Sequence, residues 1–194
     1  YQTCLMDGTV ESVAYDLKEH GYTTHAIHNH QAAFYSRNEG YANLGFDVFT
    51  ALEDMPKVSV TMKNWAKDRI LTSQIEKALN ATADEPDLVF TVTVQSHGKY
   101  PREQALENPA VRVLTCPDAE YRYALEYYVD QVRQVDQFIG KLTEMLSRRQ
   151  ERTLRVLYGD HLPALGKRGK DMASGSLYKT EYVIWDNIGL KQED

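Results

Sequence analysis

The sequence predicts an α/β fold, a mainly parallel sheet with helices on both faces. Three observations predict it: β-prone runs alternate with stretches of helical periodicity, residues 120–146 carry one long amphipathic stripe, and residues 88–94 are a nearly unbroken β-branched run. Strands separated by helices of this length pair in parallel through crossovers. In such sheets ligands collect outside the carboxyl ends of the strands.

Each element has its own signal. Over residues 9–20 the apolar Val10, Val13, Ala14 and Leu17 recur at helical spacing, and Gly21 follows where a left-handed cap sits. Residues 22–27 form a compact strand, and His28-Asn29-His30-Gln31 reads as the loop leaving it. Residues 34–55, rich in aromatics and broken by Gly40, Gly45 and the following Pro56, read as an irregular excursion of the kind that carries function. Trp65, Ile70, Leu71, Ile75, Ala78 and Leu79 predict a helix over 64–81, which Asp84-Glu85-Pro86 ends before strand 88–94. That strand empties into Gln95-Ser96-His97-Gly98. Tyr121, Leu125, Tyr128, Val132, Val135, Ile139, Leu142 and Leu146 lie along the stripe of helix 120–146. A third strand, 154–158, runs into Gly159-Asp160-His161, and a fourth, 182–185, follows a Gly/Lys-rich loop.

The chain has 194 residues, 42% of them hydrophobic, enough for a single domain spanning 1–194 with a true core. With 28 acidic against 22 basic residues the net charge is -6 and no basic block interrupts the chain, so nucleic acid is not an expected partner. No apolar run approaches the roughly 20 residues a membrane-spanning helix requires, so the segment is expected to be soluble. The opening Tyr1-Gln2-Thr3-Cys4 reads like the interior of a longer protein. Cys4 and Cys116 either pair in an oxidising compartment or stay reduced.

The three strand exits concentrate the chemistry. Asp160 and His161 offer a hard carboxylate and a borderline imidazole side by side, a pair that suits Mn²⁺, Mg²⁺ or Zn²⁺, although a turn Asp beside a solvated His would look the same. A buried strand before them would make both groups costly unless paired or metal-bound. His97, beside a glycine that permits close backbone approach, could donate to a substrate oxygen or leaving group, or be an ordinary loop histidine. Arg37, after Phe34-Tyr35-Ser36, is placed to clamp a phosphate beside an aromatic wall, or to pair on the surface with Glu39. No Gly-x-Ser-x-Gly elbow, Walker loop or Gly-x-Gly-x-x-Gly is present, so serine-hydrolase, nucleotide and dinucleotide readings lack their residues.

Four stretches, in this order and spacing, resemble the lipoteichoic acid synthase and phosphoglycerol transferase group of the sulfatase/alkaline phosphatase superfamily. They are Gly21-Tyr22-Thr23-Thr24-His25-Ala26-Ile27-His28; Phe34-Tyr35-Ser36-Arg37 continuing to Tyr41-Ala42-Asn43-Leu44-Gly45-Phe46-Asp47; Gln95-Ser96-His97-Gly98-Lys99-Tyr100-Pro101; and Tyr158-Gly159-Asp160-His161. The resemblance implies an alkaline-phosphatase-like fold truncated at both ends, in a membrane-anchored bacterial enzyme whose catalytic domain is extracytoplasmic. It implies Asp160 and His161 as metal ligands, with Mn²⁺ first among the metals, His97 as a substrate-contacting catalytic histidine, and Arg37, Phe34, Tyr35 and His28 as the head-group pocket. The donor would be a phosphatidylglycerol-like lipid head group and the acceptor a glycerol or a glycan. The family's threonine nucleophile and an acidic ligand fall upstream of Tyr1 in this alignment of motifs, so the segment alone is expected to be inactive, and its incomplete sheet could self-associate. Sulfuric ester hydrolysis or phosphoethanolamine transfer within the same superfamily, or a catalytically dead scaffold, are the competing expectations.

Overall fold

The computed structural model describes residues 5, 7–82, 84–116, 118–167 and 169–190. The chain divides into two compact units, residues 1–95 and 96–194.

In the first unit, helix α1 (Val13–Glu19) leads into strand β1 (Thr23–His28), helix α2 (Arg37–Asn43), strand β2 (Val48–Thr50), helix α3 (Leu71–Ala81) and strand β3 (Asp87–Val92). The strands form a parallel sheet in the order β2-β1-β3, with His25 opposite both Val48 and Val89. As the central strand, β1 is buried along Thr24–His28 without polar alternation, because helices and loops cover both of its faces. The α/β class and the parallel sheet are those the sequence predicts.

The boundaries differ for local reasons. The first helix starts at Val13 rather than 9, because Ser12 adopts an extended backbone and its Oγ accepts from Ala14 N at 3.1 Å, an N-cap. Gly21, at φ +80, supplies the expected left-handed exit. The helix predicted from 64 begins only at Leu71. Thr61 Oγ1 accepts from Trp65 N at 3.2 Å, and Asn64 turns at φ +63, a hydroxyl-capped turn that competes with the helix. A 3₁₀ turn, Asp68–Ile70, then starts the helical run. The excursion at 34–55 is more regular than its composition suggests, since it contains α2 and β2. His28 closes β1 instead of opening the loop after it.

The second unit holds helix α4 (Ala119–Ser147) and strands β4 (Leu154–Tyr158) and β5 (Tyr182–Asp186). Asp118 caps α4 by accepting from Glu120 N at 2.9 Å and Tyr121 N at 3.2 Å. β4 and β5 pair antiparallel in a separate two-stranded sheet, Val156 opposite Ile184, whereas the sequence predicts a mainly parallel sheet. Arg155 of β4 donates from Nη1 to Thr143 Oγ1 at 2.7 Å and lies 5.1 Å from the Trp185 ring centre, tying the strands to α4. Cys4 lies outside the described residues, and the question of its pairing with Cys116 lies there with it.

Candidate functional site

The sequence singles out residues in both units, and the structure gathers them within each. In the first unit, His28 sits at the carboxyl end of β1, 3% exposed. Its Nδ1–H donates to Val92 O at 2.9 Å across the β1–β3 pair. Burial, and then the Arg37 charge, push its pKa down to about 4, so the ring is neutral at pH 7. The His30 ring stacks 5.9 Å from it, at an interplanar angle of 29°. Phe34 and Trp65 approach His30 at 4.7 Å and 5.5 Å.

Arg37 completes this cluster. Its Nη1 donates to His30 Nδ1 at 3.0 Å and to Gln31 O at 3.3 Å. A guanidinium only donates, so His30 Nδ1 is the acceptor and carries no proton there. The Arg37 Cζ lies 5.0 Å from the Phe34 ring centre and 5.8 Å from that of Tyr35, and these two rings are 4.3 Å apart. Phe34 and Tyr35 remain 43% and 53% exposed, so the aromatic wall faces outward. The backbone that presents it is unusual: Tyr35 (φ 59) and Ser36 (φ 49) are consecutive left-handed residues with side chains. Such a pair costs on the order of 1–3 kcal/mol per residue and persists where its surroundings fix it, often at ligand sites.

In the second unit, His97 and His161 meet edge to face at 5.8 Å. The Nδ1–H of His97 donates to Gly98 O at 2.8 Å and that of His161 to Leu162 O at 3.0 Å. In the neutral tautomer this sets, Nε2 carries the lone pair. Asp160 Oδ1 lies 3.7 Å from His161 Nε2, and the two side chains are 73% and 59% exposed. That exposure corrects one argument: β4 does not bury the pair, so desolvation is not what makes it notable. In kind, a carboxylate and imidazoles in the Nε2 lone-pair tautomer fit a divalent cation. In number they fall short of a full set, since among the described residues no three His, Cys, Asp or Glu side chains group as a metal site. Tyr100, which donates from its hydroxyl to Ser96 O at 3.0 Å, holds the loop around His97, and burial pushes its pKa up to about 12.

Two residues, His30 beside Arg37 and Trp65 beside His30, join the cluster only through the fold. From sequence His30 reads as a ligand for a second metal or as an ordinary polar-loop residue, and Trp65 as part of a helical stripe; in the structure His30 instead bonds Arg37, and the hydroxyl of Thr61, four residues before Trp65, is the signal for a turn.

The sulfatase family profile matches residues 7–194. A Rhizobium meliloti (strain 1021) protein named for cyclic beta-1,2-glucan modification is 29% identical over 193 residues, covering 92% of this chain and 30% of the relative. Lipoteichoic acid synthase 2 of Bacillus subtilis (strain 168) is 25% identical over 187 residues, 95% of this chain and 28% of the relative. The chain therefore spans under a third of the curated relatives it matches. Among solved structures, the phosphoglycerol transferase GacH of Streptococcus pyogenes, in complex with sn-glycerol-1-phosphate, superposes with a TM-score of 0.72 at 22% identity, over 90% of this chain and 46% of that one. The lipoteichoic acid synthase LtaP of Listeria monocytogenes gives 0.64 at 20%, over 94% and 48%. The C-terminal periplasmic domain of EptC from Escherichia coli, in complex with Zn, gives 0.63 at 16%, over 90% and 51%. The chain has the fold of these proteins.

Proposed function

The chain belongs to the sulfatase family, and from that premise we propose that it is part of a metal-dependent phosphoglycerol transferase acting on phosphatidylglycerol-like head groups. The observation that carries the reading is the Arg37 cluster. A guanidinium stacked on Phe34 and Tyr35 and oriented by His30 is built to meet an anionic, tetrahedral group beside an apolar wall. The crystallised fold relative in complex with sn-glycerol-1-phosphate, and the relative named lipoteichoic acid synthase, support the same chemistry.

In this reading Arg37 binds the phosphate oxygens, Phe34 and Tyr35 flank the glycerol, and neutral His28 lines the pocket edge without adding charge. His97 contacts a substrate oxygen and stabilises the leaving group. Asp160 and His161 hold the divalent metal, Mn²⁺ by preference, with Mg²⁺ or Zn²⁺ as substitutes. When bound, the metal supplies positive charge that polarises the phosphoryl oxygens and lowers the pKa of an attacking hydroxyl. The nucleophile is a threonine from the remainder of the protein, and 1–194 works as one piece of a catalytic domain that does not turn over alone. The acceptor is a glycerol or a glycan, and the relative named for glucan modification favours the glycan. Among the described residues no helix is long and apolar enough to cross a membrane. The periplasmic domain among the fold relatives supports an extracytoplasmic site on a membrane-anchored parent.

The test is head-group release from phosphatidylglycerol by the full-length protein, with and without Mn²⁺. Metal-dependent release that Arg37→Ala lowers by about a hundredfold, as expected for loss of a charged phosphate contact, supports the reading. Release of sulfate from a sulfate ester with no action on phosphatidylglycerol would overturn it.

A further inference from the structure

Behind the Arg37 cluster lies a polar knot that none of the roles above uses. Asp68 and Asn29 are both fully buried, at 0% exposure. Asp68 Oδ1 accepts three hydrogen bonds, from Asn29 Nδ2 at 2.7 Å, Val94 N at 3.1 Å and Gln95 N at 3.2 Å. Its own N–H donates to Gln95 Oε1 at 2.9 Å, and Asn29 Nδ2 also donates to Ala66 O at 3.2 Å. One carboxylate therefore ties together the ends of the parallel neighbours β1 and β3 and the turn that carries Trp65.

Burying a carboxylate this way is expensive, and an apolar side chain of similar volume would often serve stability as well. What a fully bonded carboxylate adds is position. Asn29 stands between His28 and His30, and Ala66 stands next to Trp65. His30 in turn holds the Arg37 guanidinium and packs 5.5 Å from Trp65. We propose that Asp68 is a positioning residue for the Arg37 pocket: through Asn29 and Ala66 it sets His30 and Trp65, and through them the guanidinium, without touching the ligand. The inference rests on the phosphoglycerol reading of that pocket.

Asp68 Oδ2 has no hydrogen-bond partner. An asparagine at 68 can therefore keep all three bonds to Oδ1 and place its amide nitrogen where Oδ2 accepts nothing. Burial also pushes the Asp68 carboxyl pKa up, so a neutral amide is a close substitute. This separates position from charge.

The experiment is calorimetric titration of the full-length protein with sn-glycerol-1-phosphate, comparing wild type, Asp68→Ala, Asp68→Asn and Arg37→Ala, with thermal unfolding recorded for each. At a temperature where every variant is folded, Asp68→Ala is expected to bind at least about tenfold more weakly, as a pocket loosened by a fraction of an ångström would, and Asp68→Asn to recover to within about threefold of wild type. A purely structural residue would lower the unfolding temperature and leave the affinity of the folded protein unchanged; that result overturns the proposal. Where Asp68→Ala does not fold, Asn29→Ala decides, because it keeps the carboxylate and its bonds to the Val94 and Gln95 N–H groups just after β3 but cuts the link to His30. Weakened binding in that variant supports the role, and wild-type affinity refutes it. If wild type itself does not bind sn-glycerol-1-phosphate, the pocket reading fails and the positioning role falls with it.

Discussion

His28 is where residue-scale chemistry is most legible. Its ring is 3% exposed, donates from Nδ1 to Val92 O, and faces the Arg37 charge. Its pKa of about 4 in the folded chain lies below the 6.5 of an unfolded histidine, so protonation favours unfolding. The sign follows directly. Above pH 6.5 neither state holds the proton and the contribution is complete; as pH falls from 6.5 towards 4, the unfolded state gains a proton that the folded state refuses, and stability is lost. At 1.36 kcal/mol per unit, the difference reaches about 3 kcal/mol. The expected outcome is that His28→Gln flattens the pH dependence of urea unfolding between pH 6.5 and 4, relative to wild type, while the slopes from carboxylates persist in both. Parallel curves for the two proteins in that window would show that the His28 ring is more solvated than its packing implies. A neutral His28 also leaves Arg37 as the fixed positive charge of this cluster.

At the scale of elements, much of the fold was legible because its signals are local. The stripe from Tyr121 to Leu146 is a helix in its own right, and Gly21 ends α1 in the conformation only glycine adopts readily. What was not legible depended on partners distant in sequence or on a competing local bond. The three-residue β2 becomes a strand only by pairing with β1, and residues 64–70 leave the helix because the Thr61 hydroxyl captures the Trp65 N–H. Strands β4 and β5 are each legible, but nothing in either one alone signals that they pair antiparallel. The site followed the same division: the motif residues could be read one by one, whereas the joining of His30, Trp65 and Asp68 to the Arg37 pocket needed the fold. Gly45 and Gly21 make a test of how local and tertiary constraints combine. Both have positive φ, +87 and +80, but a Cβ on Gly21 meets open space while one on Gly45 would lie 2.8 Å from the Tyr15 ring. Gly21→Ala should therefore cost about 1 kcal/mol, from backbone conformation alone. Gly45→Ala should cost about 3 kcal/mol, because displacement of Tyr15 adds to the same backbone term. Equal losses in urea unfolding would mean that Tyr15 moves aside freely.

At the scale of the whole molecule, the family's signature stretches lie in both compact units, and each unit carries exposed surface that bears on its behaviour in solution. The antiparallel register of β4 and β5 sets Val156 opposite Ile184 and Tyr158 opposite Tyr182, and Leu154 shares their side of the pleat. These five side chains are 48–69% exposed, a contiguous apolar face of the kind that isolated soluble domains rarely leave uncovered. In the first unit β2 and β3 pair only with β1 among the described residues, so each has an edge with no strand partner there. A second copy of the chain can cover either feature, and the apolar face has the larger hydrophobic drive, at roughly 25 cal/mol per Å² removed from water. The 194-residue chain is therefore expected to self-associate, its elution volume in size-exclusion chromatography decreasing as concentration rises. Val156→Lys together with Ile184→Lys should restore a monomer without loss of secondary structure, since both side chains point into solvent and their backbone pairing is untouched. Monomeric elution of the wild-type chain at all concentrations would refute the association. Association that survives the double substitution would instead assign it to the edges of the parallel sheet, which a lysine placed at Val48, exposed on β2, would then be expected to block.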